Sequence, residues 1–133
     1  MSHFDLRGQT GIITAAGGRA GWVIATMLAA AGMWVVACNV DAAGLAQLAS
    51  ATRSIATLTG DLGEERDGAA AVARAEGRID LLVNNVGIAG PTAAAEDVSL
   101  ADWNDSLAGN LTIHFPRTTP CPHVASGRRR WAS

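Results

Sequence analysis

A cluster of glycines near the N-terminus has the spacing of a phosphate-binding turn. The apolar run Thr10–Ala15 leads into Gly17, Gly18 and Gly21, and helix-forming residues follow. Glycines let a backbone approach phosphate oxygens closely, and the N–H groups that open a helix point at the negative charge. Such a turn can also be structural only, but its place between a first strand and a first helix favours nucleotide binding. The sequence therefore predicts a pyrophosphate site in this turn.

Polar residues also follow the other apolar runs of the chain. Asn39 ends the second run, Asp61 and Leu62 follow the third, and Asn84-Asn85-Val86-Gly87 follows the fourth. A pair of asparagines before a glycine predicts a turn, and by itself nothing more.

Strand and helix patterns alternate around these residues. Strands are predicted over 10–15, 33–40, 54–59 and 79–83, and helices over 22–31, 42–52, 64–76 and 100–114. Ser99, with Asp102 three residues on, is the predicted N-cap of the last helix. This alternation predicts an α/β fold, a Rossmann-like doubly wound parallel sheet that is incomplete, with about four strands and flanking helices. We expect this domain to cover 1–115, with an irregular tail rich in proline and arginine over 116–133.

Composition argues against several classes of protein. The net charge of −2 gives no general attraction for nucleic acid, and Gly32 interrupts the longest apolar stretches, which fall short of a membrane span. Cys38 and Cys121 are too few for a disulfide framework, so we expect thiols in a reducing cytoplasm. Cys121 and His123, with His114 upstream, lack a fourth ligand and zinc-like spacing, so we predict no metal site.

From about residue 6 to residue 126 the chain resembles the short-chain dehydrogenase/reductase family. That family's loop pattern is TGxxxGxG. Thr14 and Gly21 match it, whereas Ala15 and Arg19 stand where the other two glycines belong. An arginine there could contact a phosphate, because a guanidinium suits that geometry, or could clash with the cofactor.

The segment after the fourth predicted strand carries the most specific similarity. Asn84-Asn85-Val86-Gly87 is similar to the family's NNAG, and the last helix resembles the family's "W…vNlt" helix through Trp103 and Asn110. In the family, NNAG ties the sheet together and lines the cofactor cleft. The resemblance implies that Asn110 holds a water in a proton relay, although it could also be an ordinary polar residue near a helix end.

The resemblance implies a nicotinamide dinucleotide cofactor and an alcohol or carbonyl substrate. With no basic residue beside Asn39, NAD is favoured and NADP is the alternative. Asp61 would hydrogen-bond adenine, or it could be the N-cap of the helix that follows. The implied cofactor-binding residues are Gly17, Gly18, Arg19, Ala20, Gly21, Asn39, Asp61, Leu62, Asn85, Val86 and Gly87.

The family's acid–base machinery is absent from this sequence. The family uses a serine and a tyrosine–lysine pair, and this chain contains no tyrosine and no lysine. We therefore expect a chain that is inactive alone and was cut short or frameshifted before those residues. Three alternatives remain, of which the first two are a non-catalytic nucleotide-binding module and an interaction module that associates with itself or with full-length relatives through residues 100–114. A fragment without function is the third.

Overall fold

Four parallel strands form the centre of the molecule in a computed structural model, which describes residues 4–114. The strands are β1 (Thr10–Ile13), β2 (Trp34–Asn39), β3 (Ile55–Thr59) and β4 (Leu81–Val83). The helices are α1 (Arg19–Ala30), α2 (Ala42–Ala51), α3 (Glu65–Arg74) and α4 (Leu100–Asn110), with short 3-10 turns at Ala95–Asp97 and Thr112–His114. The predicted α/β class and the four strands are confirmed.

The strand order is β3-β2-β1-β4, and every pair is parallel. Gly11 pairs with Val35 of β2 and with Leu81 of β4, so β1 lies inside the sheet. All residues of β1 and residues 35–38 of β2 are buried, as predicted for strands that are covered on both faces. Among the described residues β4 is an edge, and its three residues are only half-buried.

Helices cover the two faces of the sheet unequally. One face packs α1 and α2 against the strands through Ala25, Ala29, Leu45 and Leu48. On the other face, Leu62 and Ala71 of the α3 region pack against Ile12, Val36 and Cys38. None of the described residues of α4 is buried. The sheet is therefore fully covered only at β1 and β2, and in β3 only Ile55 is buried.

Helix boundaries differ from the sequence predictions at several ends. α1 begins at Arg19, one turn before the predicted start, because Gly18 in an extended conformation already acts as N-cap. α1 ends where Gly32 adopts φ +97°, as expected of a glycine that follows a helix. The last helix ends at Asn110 and continues only as a 3-10 turn to His114. The domain boundary at 115/116 lies at the limit of the described residues and stays a prediction.

Candidate functional site

The loop between β1 and α1 lies at the carboxyl end of an inner strand. Its backbone is fixed by two hydrogen bonds, from the Ala16 N–H to the Cys38 carbonyl (2.9 Å) and from the Gly18 N–H to the Ala15 carbonyl (3.2 Å). Within residues 4–114 no side chain caps α1. The N–H groups of the first turn therefore lack a side-chain acceptor, which leaves them available to an anionic oxygen.

One glycine of this loop stands where the backbone leaves no room for a side chain, and a second stands where the side chain of Asn39 would have to move. A Cβ atom on Gly21 would collide with the Ala15 carbonyl oxygen and lie 2.8 Å from Nδ2 of Asn85. A Cβ atom on Gly17 would lie 2.5 Å from Nδ2 of Asn39. At Gly18 the nearest atom would be 3.5 Å away, so Gly18 faces open space. The loop thus has tightly packed ends and an open middle, which fits a phosphate group that approaches the backbone.

Thr14 anchors the loop to the chain that follows β4. Its buried hydroxyl accepts hydrogen bonds from the N–H groups of Asn85 (2.9 Å) and Val86 (3.3 Å) and donates to the Val83 carbonyl (3.3 Å). Nδ2 of Asn85 donates to the Ala15 carbonyl at 3.3 Å. These bonds join the glycine loop and the Asn84–Gly87 segment into one unit. The sequence analysis identified both motifs but predicted no contact between them.

Asn39 and Asp41, at the end of β2, lie beside the glycine loop and the segment that follows β4. Nδ2 of Asn39 donates to the Asp41 carbonyl at 3.1 Å, and Oδ1 of Asp41 accepts from the Ala43 N–H at 3.1 Å as the N-cap of α2. A Cβ atom on Gly44 would lie 2.7 Å from the Gly17 carbonyl oxygen, so the start of α2 packs directly on the glycine loop. The sequence analysis did not single out Gly44, because an isolated glycine in a helix pattern gives no functional signal.

Asp61 closes the turn between β3 and α3. Its Oδ1 accepts from the Gly63 N–H at 2.8 Å, and its own N–H donates to Oδ2 of Asp67 at 2.9 Å. The helix N-cap is Glu64, so the interpretation of Asp61 as N-cap is wrong. The side chain of Leu62 is buried in the core. A contact of Asp61 or Leu62 with a cofactor stays a prediction.

The carboxylate of Asp67 forms an ion pair with Arg66 at this corner. A hydrogen bond from the Arg66 guanidinium, with a second from the Asp61 N–H, lowers the pKa of Asp67 below its usual range. Asp67 is therefore ionised at neutral pH.

Asn110 binds the backbone just after Gly87. Its Oδ1 accepts from the Ile88 N–H (2.9 Å), and its Nδ2 donates to the carbonyls of Ile88 (3.1 Å) and Ser106 (2.9 Å). A Cβ atom on Gly87 would lie 3.0 Å from Oδ1 of Asn110. Asn110 thereby fixes the position of α4 relative to the site. Its role in a proton relay stays a prediction.

The structure brings most of the predicted cofactor residues to one edge of the sheet. Gly17, Gly18, Gly21, Asn39 and Asn85 converge at the carboxyl ends of β1, β2 and β4. Arg19 and Ala20 are exposed in the first turn of α1, and Arg19 forms no ion pair with any described residue.

Within residues 4–114, no three His, Cys, Asp or Glu side chains could hold a metal ion, and Cys121 and His123 lie outside that range. In the same range, no helix is both long and apolar enough to cross a membrane.

The sequence matches known proteins over most of its length. Residues 9–122 match the sequence model of the short chain dehydrogenase family. Among curated proteins, D-threitol dehydrogenase of Mycolicibacterium smegmatis is 37% identical over 84% of this chain and 45% of its own length. Gluconate 5-dehydrogenase of Gluconobacter oxydans is 33% identical over 86% of this chain and 48% of its own. The chain thus spans about half the length of the curated relatives it matches.

Solved structures show the same similarity in three dimensions. The 3-ketoacyl-(acyl-carrier-protein) reductase of Brucella melitensis, crystallised with NADH, matches with a TM-score of 0.79 and 31% identity, over 89% of this chain and 50% of that one. A short-chain glucose/ribitol dehydrogenase of the same organism matches with a TM-score of 0.79 and 29% identity, over 91% of this chain and 53% of that one.

Proposed function

We propose that this chain, which belongs to the short chain dehydrogenase family, binds NAD through the loop between β1 and α1. The observation that carries the proposal is the bonding of Thr14 and Asn85, which holds an uncapped helix N-terminus beside an open glycine position. The NADH complex of the Brucella melitensis reductase supports the same class of cofactor. We propose that the chain acts in the cytoplasm, because its two cysteines are too few for a disulfide framework.

Each part of the dinucleotide has residues that suit it. Residues 17–21 offer backbone N–H groups to the pyrophosphate, and the exposed Arg19 guanidinium contacts a phosphate oxygen. Asn39 serves the adenosine ribose, Asp61 and the backbone of Leu62 serve the adenine, and residues 85–87 line the nicotinamide half. No basic side chain lies in residues 39–41, which favours NAD over NADP. When bound, the cofactor supplies hydride transfer to or from an alcohol or carbonyl carbon.

This chain by itself binds the cofactor without turning over a substrate. An alcohol/carbonyl reaction needs a general acid or base at the substrate oxygen, and the chain contains neither the tyrosine nor the lysine that the family uses. Asn110 is engaged with the backbone of Ile88 and Ser106 and offers no titratable proton. Oxidoreductase activity would therefore require residues from outside this chain.

A titration of NADH fluorescence tests the proposal. We expect saturable binding to the purified chain, weakened severalfold by Arg19→Ala and by Asp61→Ala. Arg53→Ala is the matched control, because Arg53 is also exposed but lies just before β3, at the amino edge of the sheet. A folded chain that binds neither NADH nor NADPH would refute the proposal. Tighter binding by Arg19→Ala would show that Arg19 obstructs the cofactor.

An association through α4 is a second candidate function. Leu100, Trp103 and Leu107 of α4, with Leu111 at its C-cap, are exposed and lie at helical spacing on one side of the helix. Ser106 and Gly109 face away from this stripe, toward Gly90 and Ile88. We propose that this stripe docks on a full-length member of the family.

Co-purification tests this second function. We expect the tagged chain to retain a co-expressed full-length relative, such as the D-threitol dehydrogenase, and to lose it on Trp103→Glu. Asp105→Ala, on α4 but off the stripe, should retain it. Equal recovery with both variants would argue against α4 as the contact.

A further inference from the structure

α2 contains one residue that is unfavourable in a helix. Apart from Gly44, this helix consists of alanine, leucine, glutamine and serine. Glycine lowers the stability of a helix relative to alanine, because it loses more conformational freedom when it folds. Gly44 is the third residue of α2 and lies at neither cap, where glycine is common. Helix propensity therefore gives no reason for a glycine at this position.

Gly44 contacts the loop between β1 and α1, with backbone packed against backbone. A Cβ atom on Gly44 would lie 2.7 Å from the carbonyl oxygen, 2.9 Å from the Cα and 3.2 Å from the carbonyl carbon of Gly17. Conversely, a Cβ atom on Gly17 would lie 3.4 Å from the Cα of Gly44. A side chain can leave such a contact by changing its rotamer, but a peptide group cannot. Only glycine at residue 44 lets α2 approach the loop this closely.

The helix is held more firmly than the loop it contacts. Leu45, the residue after Gly44, and Leu48 are both buried in the core beneath α2. By contrast, Gly17 is half-buried and Gly18 is exposed. Because a packed core resists displacement, a side chain added at residue 44 would move the loop and not the helix.

The peptide group that Gly44 contacts also begins α1. The Gly17 carbonyl and the Gly18 N–H belong to this one planar group, and its N–H donates to the Ala15 carbonyl at 3.2 Å. Gly18 is the N-cap of α1, and its carbonyl accepts the first hydrogen bond of the helix, from the Trp22 N–H at 2.8 Å. Rotation of this peptide group would therefore change the direction of the N–H groups that open α1.

We propose that Gly44 is a positioning residue for the cofactor. It holds the peptide group between Gly17 and Gly18 in the orientation that directs the N–H groups at the start of α1 toward the pyrophosphate. This inference rests on the proposed binding of NAD by the same loop. A Cβ atom at residue 44 would turn these donors away, and the loss of about one hydrogen bond to a charged oxygen weakens affinity roughly tenfold.

Gly44→Ala in the full chain tests the proposal. We expect the dissociation constants of NADH and of ADP, which displaces it, to rise by the same factor of roughly ten, because both ligands carry the pyrophosphate. Ala46→Ser is the matched control and should leave both constants unchanged, because it also adds one heavy atom to α2 but at an exposed position. Wild-type affinity in Gly44→Ala would overturn the proposal and leave NAD binding intact. A wild-type chain that binds neither ligand would refute NAD binding, and the role of Gly44 with it.

Amide exchange in the absence of cofactor tests the same contact independently. In Gly44→Ala we expect the Trp22 N–H, which bonds to the Gly18 carbonyl, to exchange severalfold faster. The Ala31 N–H, which bonds to the Met27 carbonyl at the other end of α1, should exchange at the wild-type rate. Equal acceleration of both amides would contradict a positioning role, because Gly44 would then stabilise the fold as a whole.

A second variant serves if Gly44→Ala does not fold. Asp41→Ala adds no atom and removes the cap of α2, in which Oδ1 of Asp41 accepts from the Ala43 N–H at 3.1 Å. A frayed first turn would no longer hold Gly44 against the loop, so the Trp22 N–H should again exchange severalfold faster. Ser99→Ala, which removes the cap of α4, is the matched control and should leave Trp22 exchange unchanged. An unchanged rate at Trp22 in Asp41→Ala would also overturn the proposal.

Discussion

Ala15 has a backbone conformation that suits glycine better. Its φ is +50°, and among the described residues other than glycine only Glu76 also has a positive φ. An L-residue in this left-handed region costs about 1–2 kcal/mol. Two hydrogen bonds hold Ala15 in this conformation, because its carbonyl accepts from Nδ2 of Asn85 and from the Gly18 N–H.

Ala15→Gly should stabilise the protein. Relief of the left-handed strain outweighs the extra flexibility of glycine in the unfolded chain, for a net gain of about 0.5–1 kcal/mol in the free energy of unfolding. The neighbouring Ala16→Gly is the control. Ala16 is buried and has no positive φ, so its loss should destabilise. Urea unfolding measures both, and equal effects of the two variants would contradict the assignment of strain to Ala15.

Thr14→Val should cost about 2 kcal/mol of stability. The substitution preserves shape but removes the acceptor for the N–H groups of Asn85 and Val86, and a buried unsatisfied donor costs about 1–3 kcal/mol. Thr14→Ser keeps the hydroxyl and should lose much less. Thermal unfolding of the pair distinguishes the hydrogen bonds from packing, and equal losses would assign the effect to packing.

Among the elements, β4 has the fewest stabilising contacts of the four strands. It has three residues, all half-buried, and one described neighbour, β1. Asp80 secures its start, because Oδ2 accepts from the Thr10 N–H at 2.9 Å while the Arg78 guanidinium donates to both carboxylate oxygens. An edge strand of this kind can pair with another chain.

The charge of Asp80 should make stability depend on pH. Burial opposes ionisation, but hydrogen bonds from Arg78 and the Thr10 N–H together outweigh it and lower the pKa of Asp80. A pKa that is lower in the folded state adds stability above the unfolded value near 4, and this stability is lost as pH falls through the folded pKa. Asp80→Asn should lower the free energy of unfolding by about 1 kcal/mol at pH 7 and reduce the loss of stability that acid causes. Asp105→Asn, at an exposed position of α4, is the control and should lose stability in acid as the wild type does.

The cap of α4 should determine its local stability. Oγ of Ser99 accepts from the Asp102 N–H at 3.1 Å and donates to Oδ2 of Asp102 at 2.6 Å, which confirms the predicted N-cap. Because none of the described residues of α4 is buried, local bonds carry much of its stability. Ser99→Ala should cost about 1 kcal/mol and speed amide exchange in residues 101–104, with exchange in α1 unchanged. Global acceleration would instead mean that α4 unfolds together with the sheet.

At the scale of the whole molecule, one side of the sheet is more complete than the other. α1 and α2 cover their face, whereas the opposite face has α3 and an α4 without buried residues. The chain also spans about half the length of its curated relatives. Ligand binding should therefore contribute a large share of the total stability.

NADH should raise the unfolding temperature. At a hundred times the dissociation constant, binding adds about 2.7 kcal/mol, which corresponds to a rise of roughly 10 °C for a domain of this size. Nicotinamide alone, which lacks the pyrophosphate, should leave the melting temperature unchanged. Differential scanning fluorimetry with both compounds makes the comparison, and equal shifts would place binding away from the glycine loop.

Short-range patterns in the sequence determined much of this protein. The continuous apolar run of β2, the glycines at 17, 18 and 21, the Asn84–Gly87 segment and the cap at Ser99 are local signals, because strand burial, tight turns and helix caps depend on residues a few positions apart. They predicted the α/β class, the four strands and the family. Helix ends were less well determined, since α1 begins at Arg19 through the backbone conformation of Gly18.

Only the tertiary structure decided what joins these local features. The hydroxyl of Thr14 accepts from Asn85 and Val86, about seventy residues along the chain, and the side chain of Asn85 donates to the carbonyl of the left-handed Ala15. The same holds for Gly44, which packs on Gly17 of the glycine loop. Such features depend on which distant segments the sheet order brings together, and no pattern within a few residues contains that information.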